Sequence, residues 1–216
     1  MSTPTRIDRG HYLTEQEERQ LRSRVQERAD ADRARGRHQG VRQQAVVAIA
    51  LYTGARVCEL AALTVGDLDL TRKGLRTIKV RTAKQRSKDA HRILPLNDTF
   101  TAYIESWIKW MRDAGWAMSE GMPLVPSTMG GPLSIRGWQD AWNSACARAG
   151  LQGLDGKSRF SIHDARHTRG MRLYHHRKDG VKDLLTVQRW LGHASPTITA
   201  KYYATVALDD MLKAVE

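Results

Sequence analysis

The sequence lacks long apolar runs. The longest one, residues 45–52, is far shorter than the roughly 20 residues that a membrane-spanning helix needs. The chain also does not open with a basic segment followed by an apolar stretch, which is the pattern of a secretory signal peptide. Together these two absences predict a protein that neither spans a membrane nor is exported, and that works in the cytoplasm.

Cysteines are scarce as well. The two that are present, Cys58 and Cys146, are too few for a disulfide framework, and their separation does not match the paired spacing of a zinc site. Such sparse thiols suit a reducing compartment.

Acidic residues are in the minority. The chain has 23 Asp and Glu against 35 Lys and Arg, which gives a net charge of +12. A domain this basic usually meets a polyanion, because each neutralised phosphate releases counterions. A solvated basic surface is the simpler alternative. Membrane-surface binding is less favoured, since no stretch combines a basic face with a broad apolar one.

Most of the chain shows helical patterns. A helix is predicted to start at Thr14, whose side chain can cap the helix N-terminus. Glu17 stands three residues later, as in a capping box, and Leu13 can pack onto the first turns. Further helices are expected at about residues 41–52, 57–63, 98–114, 134–149, 163–176, 181–191, 197–203 and 208–215.

One stretch interrupts the helices. Polar and apolar residues alternate over residues 75–81, and a polar turn leads to a second strand at residues 91–96, which predicts a β-hairpin. Glycine and proline at residues 115–132 predict an irregular connection. The expected fold class is mainly α with a small antiparallel β-sheet (α+β), preceded by a flexible N-terminus at residues 1–11.

The first chemical cluster is Thr-Gly-Ala-Arg-Val-Cys-Glu-Leu at residues 53–60. Gly54 ends the apolar helix, so Arg56 enters the next helix near its N-terminus, and Glu59 shares its face. An arginine oriented by a carboxylate can hold a phosphate through its planar fork. A purely structural Arg–Glu pair explains this cluster equally well.

The second cluster contains His163 and Arg166, three residues apart in the first turn of a predicted helix. This spacing places an imidazole, which can move a proton near neutral pH, beside a permanent cation. A chance pair on the protein surface is the alternative.

The third cluster runs from Leu191 through Gly192 and His193 to Tyr202. Gly192 ends one helix and Pro196 begins another, so His193 is held in a turn and Tyr202 lies on the short helix that follows. A tyrosine taken alone is usually core or interface material.

Taken together, these motifs resemble those of the tyrosine recombinase/integrase family. The matching features, in chain order, are Thr-Gly-x-Arg-x-x-Glu-Leu, a lysine on a β-hairpin ahead of Arg-Ile-Leu-Pro-Leu, His-x-x-Arg-His-Thr, and Leu-Gly-His with a tyrosine nine residues later. Each motif is weak alone, but their order and spacing agree over residues 12–205. The resemblance implies the catalytic-domain fold of that family and site-specific DNA recombination, as carried out by integrases of mobile genetic elements in bacteria and phages.

The resemblance also implies roles for five residues in the phosphate pocket. Arg56 and Arg166 would bind the non-bridging oxygens of the scissile phosphate. His163 and His193 would complete the pocket, and Glu59 would steady it. Such a cationic pocket neutralises the charge of a pentacoordinate phosphorane, so we expect no metal and no other cofactor.

The nucleophile implied by the resemblance is Tyr202, which is preferred to Tyr203 because its distance from His193 matches the family pattern. The lysine of the family, which protonates the departing 5′-oxygen, would be Lys84 at the end of the first strand, with Lys88 near the hairpin tip as the alternative. A covalent 3′-phosphotyrosine keeps the energy of the cleaved bond. Rejoining therefore needs no ATP.

The expected partner is double-stranded DNA. Recombination would assemble four protomers on two DNA sites, whereas the protein without DNA would be a monomer. Residues 206–216 would form a C-terminal helix that is exchanged between protomers or packs on its own domain. Family members usually carry a separate N-terminal helical domain, whereas here we expect residues 12–205 to form the catalytic domain without one.

Three other functions remain open from the sequence. A relative that only binds DNA, without catalysis, would use the same charge. A type IB topoisomerase would use the same nucleophile chemistry. A metal-dependent phosphohydrolase is suggested by an Asp and four His, namely His163, Asp164, His167, His175 and His176.

Overall fold

The computed structural model describes residues 10–71, 74–82, 90–175 and 184–193. These ranges contain helices α1 (Glu15–Ala34), α2 (Gln39–Thr53), α3 (Val57–Ala61), α4 (Asp98–Asp113), α5 (Ile135–Arg148), α6 (Ile162–His175) and α7 (Leu184–Leu191), and strands β1 (Leu68–Asp69), β2 (Thr77–Arg81) and β3 (His91–Pro95). The fold is mainly α with a small antiparallel sheet, which confirms the predicted class. The helices predicted at residues 197–203 and 208–215 lie outside the described residues.

Helix α1 begins as predicted. The hydroxyl of Thr14 accepts a hydrogen bond from the backbone N–H of Glu17, and the Glu17 carboxylate accepts one from the backbone N–H of Thr14. Both hydrogen bonds satisfy N–H groups that have no partner within the helix. Leu13, just before this cap, is fully buried and fixes the start of the helix against the core.

Helix α2 is the centre of the molecule and is buried along nearly its whole length, between α1, α5 and α6. It ends at Gly54, which has φ +58°. A Cβ there would come within 2.9 Å of Leu191 Cδ2 and 3.0 Å of Arg169 Cβ. Glycine is therefore needed both for the left-handed turn and for the close approach of α6 and α7.

The sheet has the strand order β1-β2-β3 and is antiparallel throughout. The predicted hairpin is confirmed, with Ile78 paired to Leu94 and Val80 paired to Arg92 on the face that points to the core. Strand β1 was not predicted, because it has only two residues and is defined by its backbone pairing with β2.

The core continues through three buried tryptophans, Trp107, Trp138 and Trp142, on α4 and α5. Two of them donate indole hydrogen bonds of 2.9 Å to main-chain oxygens, Trp107 to Leu124 and Trp142 to Phe160. The connection between α4 and α5 is irregular, as predicted. Among the described residues, no helix combines the length and the apolar character that crossing a lipid bilayer requires.

Candidate active site

Arg56 lies just before α3, three residues after Thr53, the last residue of α2. Its Nη1 donates a hydrogen bond of 3.0 Å to Oε1 of Glu59, and its backbone N–H donates one of 3.0 Å to Oε2 of the same carboxylate. The guanidinium remains partly open to solvent, with 23% of the side chain exposed. Glu59 therefore holds Arg56 in place, while part of the Arg56 guanidinium stays accessible to a ligand.

Glu59 is buried and serves two arginines. Besides Arg56, it accepts a hydrogen bond of 2.8 Å from Nη2 of Arg92 on β3. Burial alone raises the pKa of a carboxyl group, but the hydrogen bond and charge of Arg92, together with those of Arg56, hold the pKa of Glu59 below its ordinary value. Glu59 is therefore a carboxylate that links β3 to α3.

Arg166 is almost completely buried on α6. Its Nη1 donates a hydrogen bond of 2.8 Å to the carbonyl of Gly54, and its Nη2 donates one of 2.6 Å to the carbonyl of Leu191. Carbonyl groups at helix C-termini lack partners within their helix and carry partial negative charge. Arg166 thus fixes the end of α2 and the end of α7 at one place.

His193 directly follows the turn that ends α7. Its backbone N–H donates a hydrogen bond of 3.1 Å to the carbonyl of Gln188, and Gly192 adopts φ +67° to make this turn. Burial lowers the pKa of His193 to about 4, and neighbouring cationic groups add to this effect. Those groups belong to Arg166, Arg56, Arg92 and His163.

His163 is exposed in the first turn of α6. Its ring stands edge to face with that of His167, at 4.8 Å between centroids. Burial, followed by the charges of His163 and Arg166, lowers the pKa of His167 to about 3. His167 is therefore neutral at physiological pH. The sequence analysis placed His167 in the His-x-x-Arg-His-Thr motif without a role there, and named it otherwise as a candidate metal ligand.

Five predicted site residues thus come together from three separate parts of the chain: Arg56, Glu59, His163, Arg166 and His193. Three other predicted site residues, Lys84, Lys88 and Tyr202, lie outside the described residues. Arg92 is a neighbour of this site that the sequence analysis did not assign. The available signal was a cation at an inward position of a strand.

The sequence model of the phage integrase family matches residues 11–208. The chain belongs to the phage integrase family. The tyrosine recombinase XerC of Bifidobacterium longum is 30% identical over 190 residues, which is 84% of this chain and 48% of that protein. The chain therefore spans about half the length of the curated relatives it matches.

Two solved structures show that this integrase-family chain has the tyrosine recombinase fold. The XerA recombinase superposes with a TM-score of 0.70 at 24% identity, over 99% of this chain and 67% of that one. The XerH site-specific recombinase, bound to its difH substrate before cleavage, superposes with a TM-score of 0.68 at 22% identity, over 93% of this chain and 52% of that one. The resemblance predicted from the motifs is confirmed.

A groove adjoins the histidine side of the site in this integrase-family domain. Its volume is about 440 Å³, and it extends from His163 along the polar face of α5. The lining residues of α5 are Arg136, Gln139, Asp140 and Asn143. The groove thus reaches the site at His163.

The histidines and carboxylates of the site do not form a metal centre among the residues that the structure describes, since no three His, Cys, Asp or Glu side chains there are close enough to share an ion. Asp164 instead accepts hydrogen bonds from the backbone N–H and the hydroxyl of Ser161, at 2.7 and 2.8 Å, and so caps α6.

Proposed function

We propose that this protein is a site-specific DNA recombinase that cleaves and rejoins DNA through a 3′-phosphotyrosine at Tyr202. The observation that carries the proposal is the convergence of Arg56, Arg166 and His193, from three distant motifs, at one cationic place. Three guanidinium groups, with that of Arg92, and the single carboxylate of Glu59 leave a local excess of two positive charges. This excess complements a phosphodiester whose negative charge grows during nucleophilic attack.

Arg56 and Arg166 would bind the non-bridging oxygens of the scissile phosphate. Arg56 has the accessible fork, whereas the hydrogen bonds of Arg166 to two main-chain oxygens keep its guanidinium from moving during the reaction. His193 would be neutral when DNA arrives and would donate a hydrogen bond to a phosphate oxygen. The dianionic transition state then gains hydrogen bonds and charge from groups that are already oriented.

Tyr202 would attack the phosphorus and release the 5′-oxygen of the next nucleotide. A phenol has a pKa of about 10, so its proton needs an acceptor, for which His163 is suitably exposed at the edge of the site. Lys84, or alternatively Lys88, would donate a proton to the departing 5′-oxygen. The phosphotyrosine ester is then attacked by a 5′-hydroxyl from the partner strand, which restores a phosphodiester and the free phenol.

Double-stranded DNA is the proposed partner. The net charge of +12 favours it. The groove beside His163 adds polar side chains of α5 next to the site. Exchange of strands between two sites requires four cleavable strands, so we propose a tetramer on two duplexes as the working assembly.

The decisive experiment uses DNA from the flanks of the gene that encodes this protein. The DNA carries a nick near the expected cleavage point, so that the short released fragment, which carries the new 5′-hydroxyl, diffuses away. The unsubstituted protein should form an adduct with DNA that resists SDS. Tyr202→Phe should bind the same DNA without forming this adduct, and Tyr203→Phe is the matched control that should still form it. An adduct that persists in Tyr202→Phe would refute the proposed nucleophile.

Two rival functions give different results in this assay. A protein that only binds DNA would form no adduct in any variant, although its affinity for DNA would be normal. A metal-dependent phosphohydrolase would release cleaved DNA instead of retaining it covalently, and a chelator would stop it. The proposed recombinase should form its adduct equally well in the chelator.

A further inference from the structure

Arg92 occupies an unusual place in the sheet. Side chains alternate along β3, and the inward positions are those of Arg92 and Leu94. Across the strand pair, Arg92 lies opposite Val80, a fully buried residue. Only 8% of the Arg92 side chain is exposed. A cation at an inward strand position is costly to bury, so its contacts should explain why it is there.

The first contact of Arg92 leads to the phosphate-binding arginine of the proposed mechanism. Nη2 of Arg92 and Nη1 of Arg56 bind the two different oxygens of the Glu59 carboxylate, at 2.8 and 3.0 Å. The carboxylate is therefore held on one side by β3, and it holds Arg56 on the other. Without Arg92, Oε2 of Glu59 would lose a charged donor and keep the backbone N–H of Arg56, so the carboxylate would shift towards Arg56 and change the direction of the Arg56 guanidinium.

The second contact leads to the histidine turn. A Cβ placed on Gly192 would come within 3.2 Å of Nη1 and 3.3 Å of Cδ of Arg92. The guanidinium thus lies directly against the backbone one residue before His193. Among the described residues, Nη1 and Nε of Arg92 have no hydrogen-bond partner. Most of the hydrogen-bonding capacity of this cation is therefore not used to stabilise the sheet.

We propose that Arg92 is a positioning residue, which orients Arg56 through the shared carboxylate of Glu59 and supports the turn that carries His193. The effect of Arg92 on DNA cleavage rests on the proposed function, whereas its effect on the turn does not. The competing explanation is that Arg92 only neutralises a buried carboxylate.

The first test measures the turn in the protein without DNA. In Arg92→Met, the backbone amides of Gly192 and His193, which both donate to the carbonyl of Gln188, should exchange with solvent about tenfold faster relative to the amides of α2. The matched control is Arg81→Met, which removes a half-exposed cation of β2 that pairs with buried Asp67. That variant should leave the relative exchange rates of the turn unchanged.

The second test measures cleavage of the nicked DNA under single-turnover conditions. Arg92→Met should lower the rate of adduct formation about 100-fold, because a small misplacement of a binding group costs that much. Its affinity for DNA should fall far less than the cleavage rate, since the Arg92 side chain is buried and its guanidinium donates to Glu59. Arg81→Met should keep the normal cleavage rate.

A double variant, Glu59→Gln with Arg92→Met, separates positioning from neutralisation and also serves if the single variant fails to fold. It removes both buried charges together, so folding should recover. Positioning predicts that the turn amides still exchange fast and that cleavage stays low. Normal turn exchange together with normal cleavage in the double variant would overturn the proposal.

These experiments still test the positioning role of Arg92 if the proposed function is wrong. In that case the unsubstituted protein forms no adduct, and the amide exchange of the turn alone decides. Fast exchange in the Arg92 variants supports the positioning role, and exchange that matches Arg81→Met overturns it.

Discussion

The guanidinium of Arg166 donates a hydrogen bond of 2.6 Å to the carbonyl of Leu191, two residues before His193. Because its other terminal nitrogen binds the carbonyl of Gly54, two residues before Arg56, a single side chain sets the spacing between two groups of the site. The residue that is proposed to bind phosphate is thus also the residue that holds the site together.

Arg166→Met should therefore lose both stability and activity. Two main-chain carbonyls would lose charged donors, which should lower the free energy of unfolding by about 1–3 kcal/mol, as judged by urea denaturation. The rate of DNA cleavage should fall about 100- to 1,000-fold, because a preorganised donor to the transition state is lost. The exposed Arg136→Met is a suitable comparison for stability, and it should unfold at the same urea concentration as the unsubstituted protein. Equal stability of the two variants would contradict the anchoring role of Arg166.

The half-buried histidines of the site should make the protein less stable in acid. The pKa of His167 is lowered from 6.5 to about 3 in the folded state. Below pH 6.5 the imidazole of His167 therefore binds a proton in the unfolded chain but stays unprotonated in the folded chain. The free energy of unfolding decreases as the pH falls from 6.5 towards 3. In His167→Gln, the loss of stability between pH 7 and pH 5 should be smaller, as measured by urea denaturation at both pH values.

The matched control for this pH dependence is His38→Gln, at an exposed position. It should keep the full difference in stability between pH 7 and pH 5. An unchanged difference in His167→Gln would show that His167 is not the source of the acid sensitivity, which would leave His193 as the group to test.

The choice between Lys84 and Lys88 can be made with a modified substrate. If one of them protonates the 5′-oxygen, replacing that lysine with alanine should slow cleavage by about 100- to 10,000-fold. A substrate with sulfur in place of the 5′-bridging oxygen releases a thiolate, which needs no proton, so the same variant should recover the normal rate. Alanine at the other lysine should change neither rate appreciably. We expect the rescued variant to be Lys84→Ala.

Local patterns in the sequence were sufficient to predict most of the helices and strands. The Thr14–Glu17 capping box, the alternation over residues 75–81 and the glycine after α2 each act within a few residues, so their structures could be predicted directly. The structure also brings together Arg56, Arg166 and His193, although no local pattern relates these three. That convergence was predicted only because their motifs resemble those of the integrase family.

Long-range contacts explain what the sequence did not reveal. Arg92 pairs with Glu59 across 33 positions, and nothing near either residue indicates the other as its partner. Its place in the alternation of β3 shows that it points inward, but such a position predicts an apolar side chain. Strand β1 was missed for a related reason, since backbone pairing with β2 defines it and its two side chains do not.

Arg166 and Arg92, which both lie beside the turn that carries His193, differ in how a substitution of their partner residue would affect them. Arg166 binds oxygens of the polypeptide backbone, which every amino acid provides, so sequence drift at position 191 leaves its partner in place. Among the described residues, Arg92 donates to the carboxylate of Glu59, so a change at position 59 removes this partner and favours a matching change at position 92.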